Sequence, residues 1–108
     1  MTTAAHDTLG DIAQVRSKNA GPFWLTIDIF LADHDTYTRV MTSPAADPET
    51  YAGIYGVDPH QVQVFALEQL NAVKVSFPRP TGQGSPADRD MHGGQQYIPL
   101  LHTPLPAP

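Results

Sequence analysis

From Phe23 to Leu31 the chain alternates with a period of two. Phe23, Leu25, Ile27, Ile29 and Leu31 share one side, and Trp24, Thr26, Asp28 and Phe30 share the other. Successive strand side chains point to opposite faces, so this pattern predicts a strand with one face in the core. The second face carries two large aromatics around Asp28, which predicts that it is partly covered as well. Gly21-Pro22 opens the strand, because proline is tolerated at a strand's first position. The period then lengthens. Tyr37, Val40 and Met41 recur at i, i+3 and i+4 between Thr36 and Thr42, behind the acidic capping residues Asp33-His34-Asp35, and Ser43-Pro44 ends this helix. A second helix is announced by Asp47 as N-cap, Pro48 at the first helical position and Glu49 in the first turn. It carries Tyr51, Ile54 and Tyr55, with Gly56 at its left-handed end. Asp58-Pro59 starts one more short turn.

The period returns to two in Val62 to Glu68 and Ala72 to Phe77, predicted strands joined as a hairpin through Gln69-Leu70-Asn71 and closed by Pro78-Arg79-Pro80. Thr81 to Asp90 lacks apolar periodicity and reads as a loop. Tyr97 to Leu101 is apolar enough to dock, as a short helix beginning near Pro99. His102-Thr103 ends that run, and Pro104, Pro106 and Pro108 make an extended tail. Leu9 to Arg16 fits two readings. Leu9, Ile12, Ala13 and Val15 suit an amphipathic helix, while Asp11 to Val15 equally suits a strand feeding Ser17 to Gly21. Strand, helices and hairpin in this order form the β-α-β-β part of a ferredoxin-like sandwich, an α+β fold with helices on one face of an antiparallel sheet. The expected organisation is a flexible N-terminus at 1–7, one ferredoxin-like domain at 8–103 and a proline-rich tail at 104–108.

Length and composition narrow this picture. With 108 residues the chain buries roughly two-thirds of its unfolded surface, enough for one core and not for two. The longest mainly apolar stretch, Phe23 to Ala32, is far short of the ~20 residues of a membrane span. The start, MTTAAHDT, has neither the basic nor the apolar part of a signal peptide. The absence of cysteine excludes a disulfide framework and a thiolate zinc site, and a cytoplasmic setting is expected. Six Lys and Arg, all scattered singly, against eleven Asp and Glu give a net charge of −5. That disfavours nucleic acid, whose binding needs several phosphates neutralised together. Only 16% of residues are charged, which leaves room for a buried interface.

Ser17-Lys18-Asn19-Ala20-Gly21-Pro22 is the most suggestive stretch. Its backbone N–H groups and ammonium suit a carboxylate or phosphate, though it reads more simply as a turn in which Asn and Gly take left-handed angles while Lys18 sits in water. The order of a phosphate loop is missing. Asp88-x-Asp90-x-His92 would align three ligands if extended, but reads more simply as an acidic surface loop. Asp28 in the main strand would need a partner if covered, with Lys74 or Arg79 available on the far strand; it reads as a structural ion pair, an exposed carboxylate or a base. His6, His34, His60 and His102 show no ligand spacing. Ser85 is no nucleophile elbow, because Gln83 and Ala87 stand where that motif requires glycine. The Trp and Tyr residues, at helix or strand spacing, are expected in the core.

Ser17 to Phe23, running into Leu25-Thr26-Ile27-Asp28-Ile29-Phe30, resembles the signature of a small-domain family known as domain of unknown function 4387. The resemblance continues through Ile54-Tyr55-Gly56-Val57, Lys74-Val75-Ser76-Phe77-Pro78-Arg79-Pro80, Gly84 to Asp90 and Gly94 to Leu101, covering about residues 8 to 106. The family is similar in layout to the ferredoxin-like domain of acyclic terpene utilisation (AtuA-like) proteins. There a Ser-Gly-Asp-Lys-Gly turn precedes a strand and a His-Gly-Lys segment comes near the end. Ser17, Lys18 and Gly21 match parts of that turn, interrupted here by Asn19 and Ala20. His92-Gly93 or the adjacent Gly94 matches the later segment, with Gly94 or Gln95 where Lys is expected. The resemblance implies the small subunit of a heteromeric catabolic enzyme of hydratase or lyase type, built with a larger AtuA-like chain and acting on an acyl-CoA or carboxylate. Ser17, Lys18, Asn19, Gly21 and Arg79 are the expected substrate-binding residues, and no cofactor is assigned. The alternative is a stand-alone, dimeric small-ligand or regulatory module.

Overall fold

A computed structural model describes residues 8–21, 23–79 and 97–105. The chain opens on a single helical turn, α1 (Leu9–Ile12), and passes at once into β1 (Ala13–Asn19). The helical reading thus holds for Leu9–Ile12 and the strand reading from Ala13 onward. The helical turn is set by a capping box: the Thr8 N–H donates to the Asp11 carboxylate at 2.8 Å. The strand follows because its neighbour, β2 (Trp24–Leu31), offers a partner along its whole length, from Ala13 opposite Leu31 to Asn19 opposite Leu25.

Two helices follow. In α2 (His34–Met41), Asp33 caps the first turn, accepting the Thr36 N–H at 2.8 Å. In α3 (Pro48–Tyr55), Asp47 caps, Pro48 takes the first position and Gly56 ends the helix at φ +69°. A 3-10 turn at Pro59–Gln61 leads to β3 (Gln63–Leu67), and another at Glu68–Leu70, with Asn71 in the left-handed region at φ 48°, leads back along β4 (Ala72–Pro78). The sheet order is β1-β2-β4-β3, with every neighbour antiparallel. Because β4 lies between β2 and β3 and opposes both, β2 and β3 run the same way with the helices between them in the chain. That is the split β-α-β unit of an α+β, ferredoxin-like sheet.

One face of this sheet is covered. Leu25, Ile27 and Ile29 of β2 and Val73, Val75 and Phe77 of β4 are fully buried, with Val15 of β1 beside them. Tyr37 and Val40 of α2, Tyr51 and Tyr55 of α3, and Leu9, Leu100 and Leu105 complete the same cluster. Each large apolar side chain moved out of water here contributes about 1.5–3 kcal/mol. The Phe77 ring lies 4.8 Å from that of Tyr55 and 6.0 Å from that of Tyr51. The C-terminal segment, a 3-10 turn at Ile98–His102, is held against α1 by the Leu9 N–H donating to the Thr103 carbonyl at 2.9 Å and by a bridge between Thr8 and Pro104.

Candidate functional site

The run Ser17-Lys18-Asn19 lies inside β1, so strand alternation divides it. Ser17 and Asn19 stand opposite Ile27 and Leu25 on the covered face, whereas Lys18 stands opposite Thr26 on the other. Ser17 is buried, and its Oγ accepts the Tyr97 N–H at 3.1 Å. The Asn19 Oδ1 accepts a hydrogen bond from the Arg79 guanidinium, which is itself only 9% exposed. A guanidinium taken out of water needs such an acceptor, because an unpaired buried charge costs several kcal/mol (about 3–5 when a partner is removed). The backbone locks the same end of the sheet. The Arg79 N–H donates to the Phe23 carbonyl at 2.7 Å and the Ala20 N–H to the Trp24 carbonyl at 2.9 Å. Gly21 turns the chain at φ +90°, an angle open to glycine and strained for a side chain.

Of the five expected binding residues, the structure thus brings Ser17, Asn19 and Arg79 to one end of the covered face, with Gly21 in the adjoining turn. Lys18 is exposed on the opposite face. Arg79 and Tyr97, which bracket residues 80–96, are both tied to β1, at Asn19 and Ser17. The local chemistry is that of an anchored sheet end carrying one buried cation.

The other face is partly covered, as expected: Thr26 is 4% exposed and Ala72 2%, while Trp24 is 37% exposed, Phe30 42%, Phe65 45% and Leu67 37%. Trp24 is therefore surface and not core, although Tyr37, Tyr51 and Tyr55 are buried as expected. The ladder sets Arg16, Asp28, Lys74 and Phe65 in one row across all four strands. Lys18, Thr26, Ser76 and Gln63 make the next row, in which the hydroxyls of Thr26 and Ser76 lie 3.2 Å apart. Asp28 has Lys74 as a register neighbour. Arg79, the other expected partner, is on the covered face and turned toward Asn19. Among the described residues Asp28 makes no ion pair with either neighbouring cation, and the one carboxylate bridge is His34 to Glu68 at 3.8 Å, on the surface.

Charge is sorted between the two sides. The open face holds Arg16, Lys18 and Lys74 against Asp28 alone. The remaining described residues hold seven carboxylates (Asp11, Asp33, Asp35, Asp47, Glu49, Asp58 and Glu68) against Arg39 and the buried Arg79. Four of these carboxylates cap helix starts: Asp11, Asp33, Asp47 and Asp58. Asp33 is held below the usual carboxylate range by the Thr36 hydroxyl and N–H, and Asp11 by the Thr8 N–H and hydroxyl. This sorted face was missed from sequence, although the second-face residues of the three predicted strands were legible. Phe65 and Arg16 needed only the strand registers to join them. Among the described residues no three His, Asp or Glu side chains converge as a metal site. His6, Ser85 and Asp88-x-Asp90-x-His92 lie outside the described residues, and no described helix is long and apolar enough to cross a membrane.

A family model described as domain of unknown function (DUF4387) matches residues 9–104. No curated protein and no solved structure matches the chain.

Proposed function

Since the chain belongs to the DUF4387 family, we propose that it is the small subunit of a heteromeric catabolic enzyme, of hydratase or lyase type, assembled with a larger AtuA-like chain in the cytoplasm and acting on a carboxylate or acyl-CoA. The observation that carries this reading is the open sheet face. Trp24 at one end of this face and Phe30, Phe65 and Leu67 at the other stand exposed, and exposed apolar groups on small domains mark contacts with another molecule. Among the described residues, the Ser17–Arg79 end has polar groups that anchor β1, Arg79 and Tyr97. In this reading the larger chain carries the chemistry and this one brings contact surface, with the ammonium of Lys18 as its accessible anion-binding group. Co-expression with a larger AtuA-like chain tests this. Co-elution with turnover present only in the complex is the expected result, and separate elution with activity in this chain alone refutes it.

One observation favours the second reading, a stand-alone dimeric ligand-binding module. The edge strand β3 reads Gln-Val-Phe-Ala-Leu, with neither a charge nor a proline to block pairing with its own copy. Sedimentation of the isolated chain, with thermal shifts measured against carboxylates and acyl-CoAs, separates the two. A dimer stabilised by ligand without the larger chain supports the module.

A further inference from the structure

We propose that this face of the sheet docks on an acidic surface of the larger subunit, Arg16, Lys18 and Lys74 meeting carboxylates between an apolar contact at Trp24 and a second one at Phe30, Phe65 and Leu67. This rests on the small-subunit reading and adds which face is buried and what chemistry meets it. The face has the composition of an interface centre: a tryptophan, two phenylalanines and an arginine, residue types that dominate binding energy when desolvated. Four strands about 4.8 Å apart and some seven residues long offer roughly 400 Å², about half of one side of a standard interface, so the sheet edges supply the rest.

Charge selects the partner. The face carries three cations to one carboxylate, and among the described residues none of these four groups is ion-paired within the chain. A second copy laid face to face would set this positive surface against itself, and like charges brought together in an interface cost several kcal/mol. A nucleic-acid strand crossing the sheet would have to pass Asp28, which sits between Arg16 and Lys74 in the middle of the row, on a chain of net charge −5. A carboxylate-rich protein surface meets both constraints, because it can satisfy the three cations at separate points and place one cation opposite Asp28. The acidic helical side is then left to water, keeping the face the chain presents to its partner distinct from the one it presents to other copies.

The test uses the full chain and the larger AtuA-like chain, with affinity and association rate measured by biolayer interferometry at several salt concentrations. The triple reversal Arg16→Glu/Lys18→Glu/Lys74→Glu is expected to slow association at least tenfold at low salt, with the difference shrinking as salt rises. Trp24→Ala/Phe30→Ala is expected to weaken binding at least about 30-fold. Asp35→Asn/Glu49→Gln, on the helical side, should leave affinity within about twofold. All these residues are exposed or half-buried, and circular dichroism checks that each variant folds. If the complex forms and both open-face variants bind as the parent does, the docking assignment is overturned while the small-subunit reading survives. If the parent forms no complex, both fall. A homodimer of the isolated chain abolished by Phe30→Arg, or retention on a single-stranded oligonucleotide abolished by the triple reversal, also overturns the assignment, giving the face to a second copy or to nucleic acid.

Discussion

Replacing Tyr51 with phenylalanine removes one oxygen from a side chain with no exposed surface. That oxygen donates to the Ala45 carbonyl at 2.6 Å. No other local donor can take its place. Pro48, three residues beyond Ala45, has no N–H, and the Glu49 N–H is already given to the Asp47 carboxylate at 3.1 Å. The variant therefore loses a buried hydrogen bond and leaves its acceptor unsatisfied, which costs about 1–3 kcal/mol near neutral pH. For a domain of this size each kcal/mol lowers the melting temperature by roughly 4–8 °C.

The same variant should behave differently at high pH. Burial pushes the Tyr51 phenol far above its ordinary value of 10.0, with the neighbouring Tyr55 adding to the shift, and burial does the same to Tyr55. In the unfolded chain both ionise near the ordinary value; in the folded chain both stay protonated. Stability from each is thus fully present below pH 10 and is lost as pH rises toward the folded value, by about 1.4 kcal/mol per pH unit per tyrosine. By about pH 11.5 that amounts to about 2 kcal/mol for each. The Tyr51→Phe protein lacks one of the two contributions, so its deficit at neutral pH should shrink by about 2 kcal/mol. Urea denaturation followed by circular dichroism from about pH 7 to 11.5 measures both effects. Parallel stability curves across that range would refute the linkage, and a neutral-pH loss below about 0.5 kcal/mol would refute the hydrogen-bond argument.

The anchored sheet end and the helix terminus give further expectations. Asn19→Ala deprives the buried Arg79 guanidinium of an acceptor and should cost about 1.5–3 kcal/mol, whereas Lys18→Ala, one residue away and exposed, should stay within about 0.5 kcal/mol and act on partner binding instead; denaturant midpoints rank the two. Ser17→Ala removes the oxygen that receives the Tyr97 N–H, so hydrogen exchange in residues 97–105 should quicken before the strands do. Gly56→Ala places a side chain at φ +69° where no atom lies within 4 Å, so the cost is backbone strain alone, about 1–2 kcal/mol. Gly56→Asn should recover part of it, since Asn71 already holds a similar angle in this fold.

The elements written in local signals were legible. The alternation of Leu25, Ile27 and Ile29 fixed the core face of β2, and Asp47-Pro48-Glu49 with Gly56 marked both ends of α3, because capping and left-handed termini are decided within a few residues. The end of β1 was not legible in the same way. Ser17 to Asn19 reads as a turn when only its own residues are considered, and it is a strand because Leu25, Ile27 and the intervening residues of β2 supply the ladder. The partners that occupy Ser17 and Asn19 lie 80 and 60 positions away, beyond any local pattern. Trp24 was misplaced for a related reason. An aromatic at strand spacing says that one face is apolar, but not whether this chain has anything to lay upon it.

That question also bears on what the molecule is for. All three described helices pack on the face that carries Val15, Ile27, Val75 and Phe77. On the other face Trp24, Phe30, Phe65 and Leu67 remain in water, where every square ångström of apolar surface forgoes about 25 cal/mol that burial would yield. Charged residues alone would have kept such a face soluble and inert. Here the cations are few, unpaired with the single carboxylate among them, and set beside aromatics, an arrangement that gains most when a second surface excludes the water. The alternation that turns Ser17 and Asn19 inward to hold Tyr97 and Arg79 is the same one that turns Lys18 outward to join Arg16 and Lys74. The short run of residues that looked like one binding turn therefore belongs to two surfaces, one closing the fold and the other carrying exposed cations.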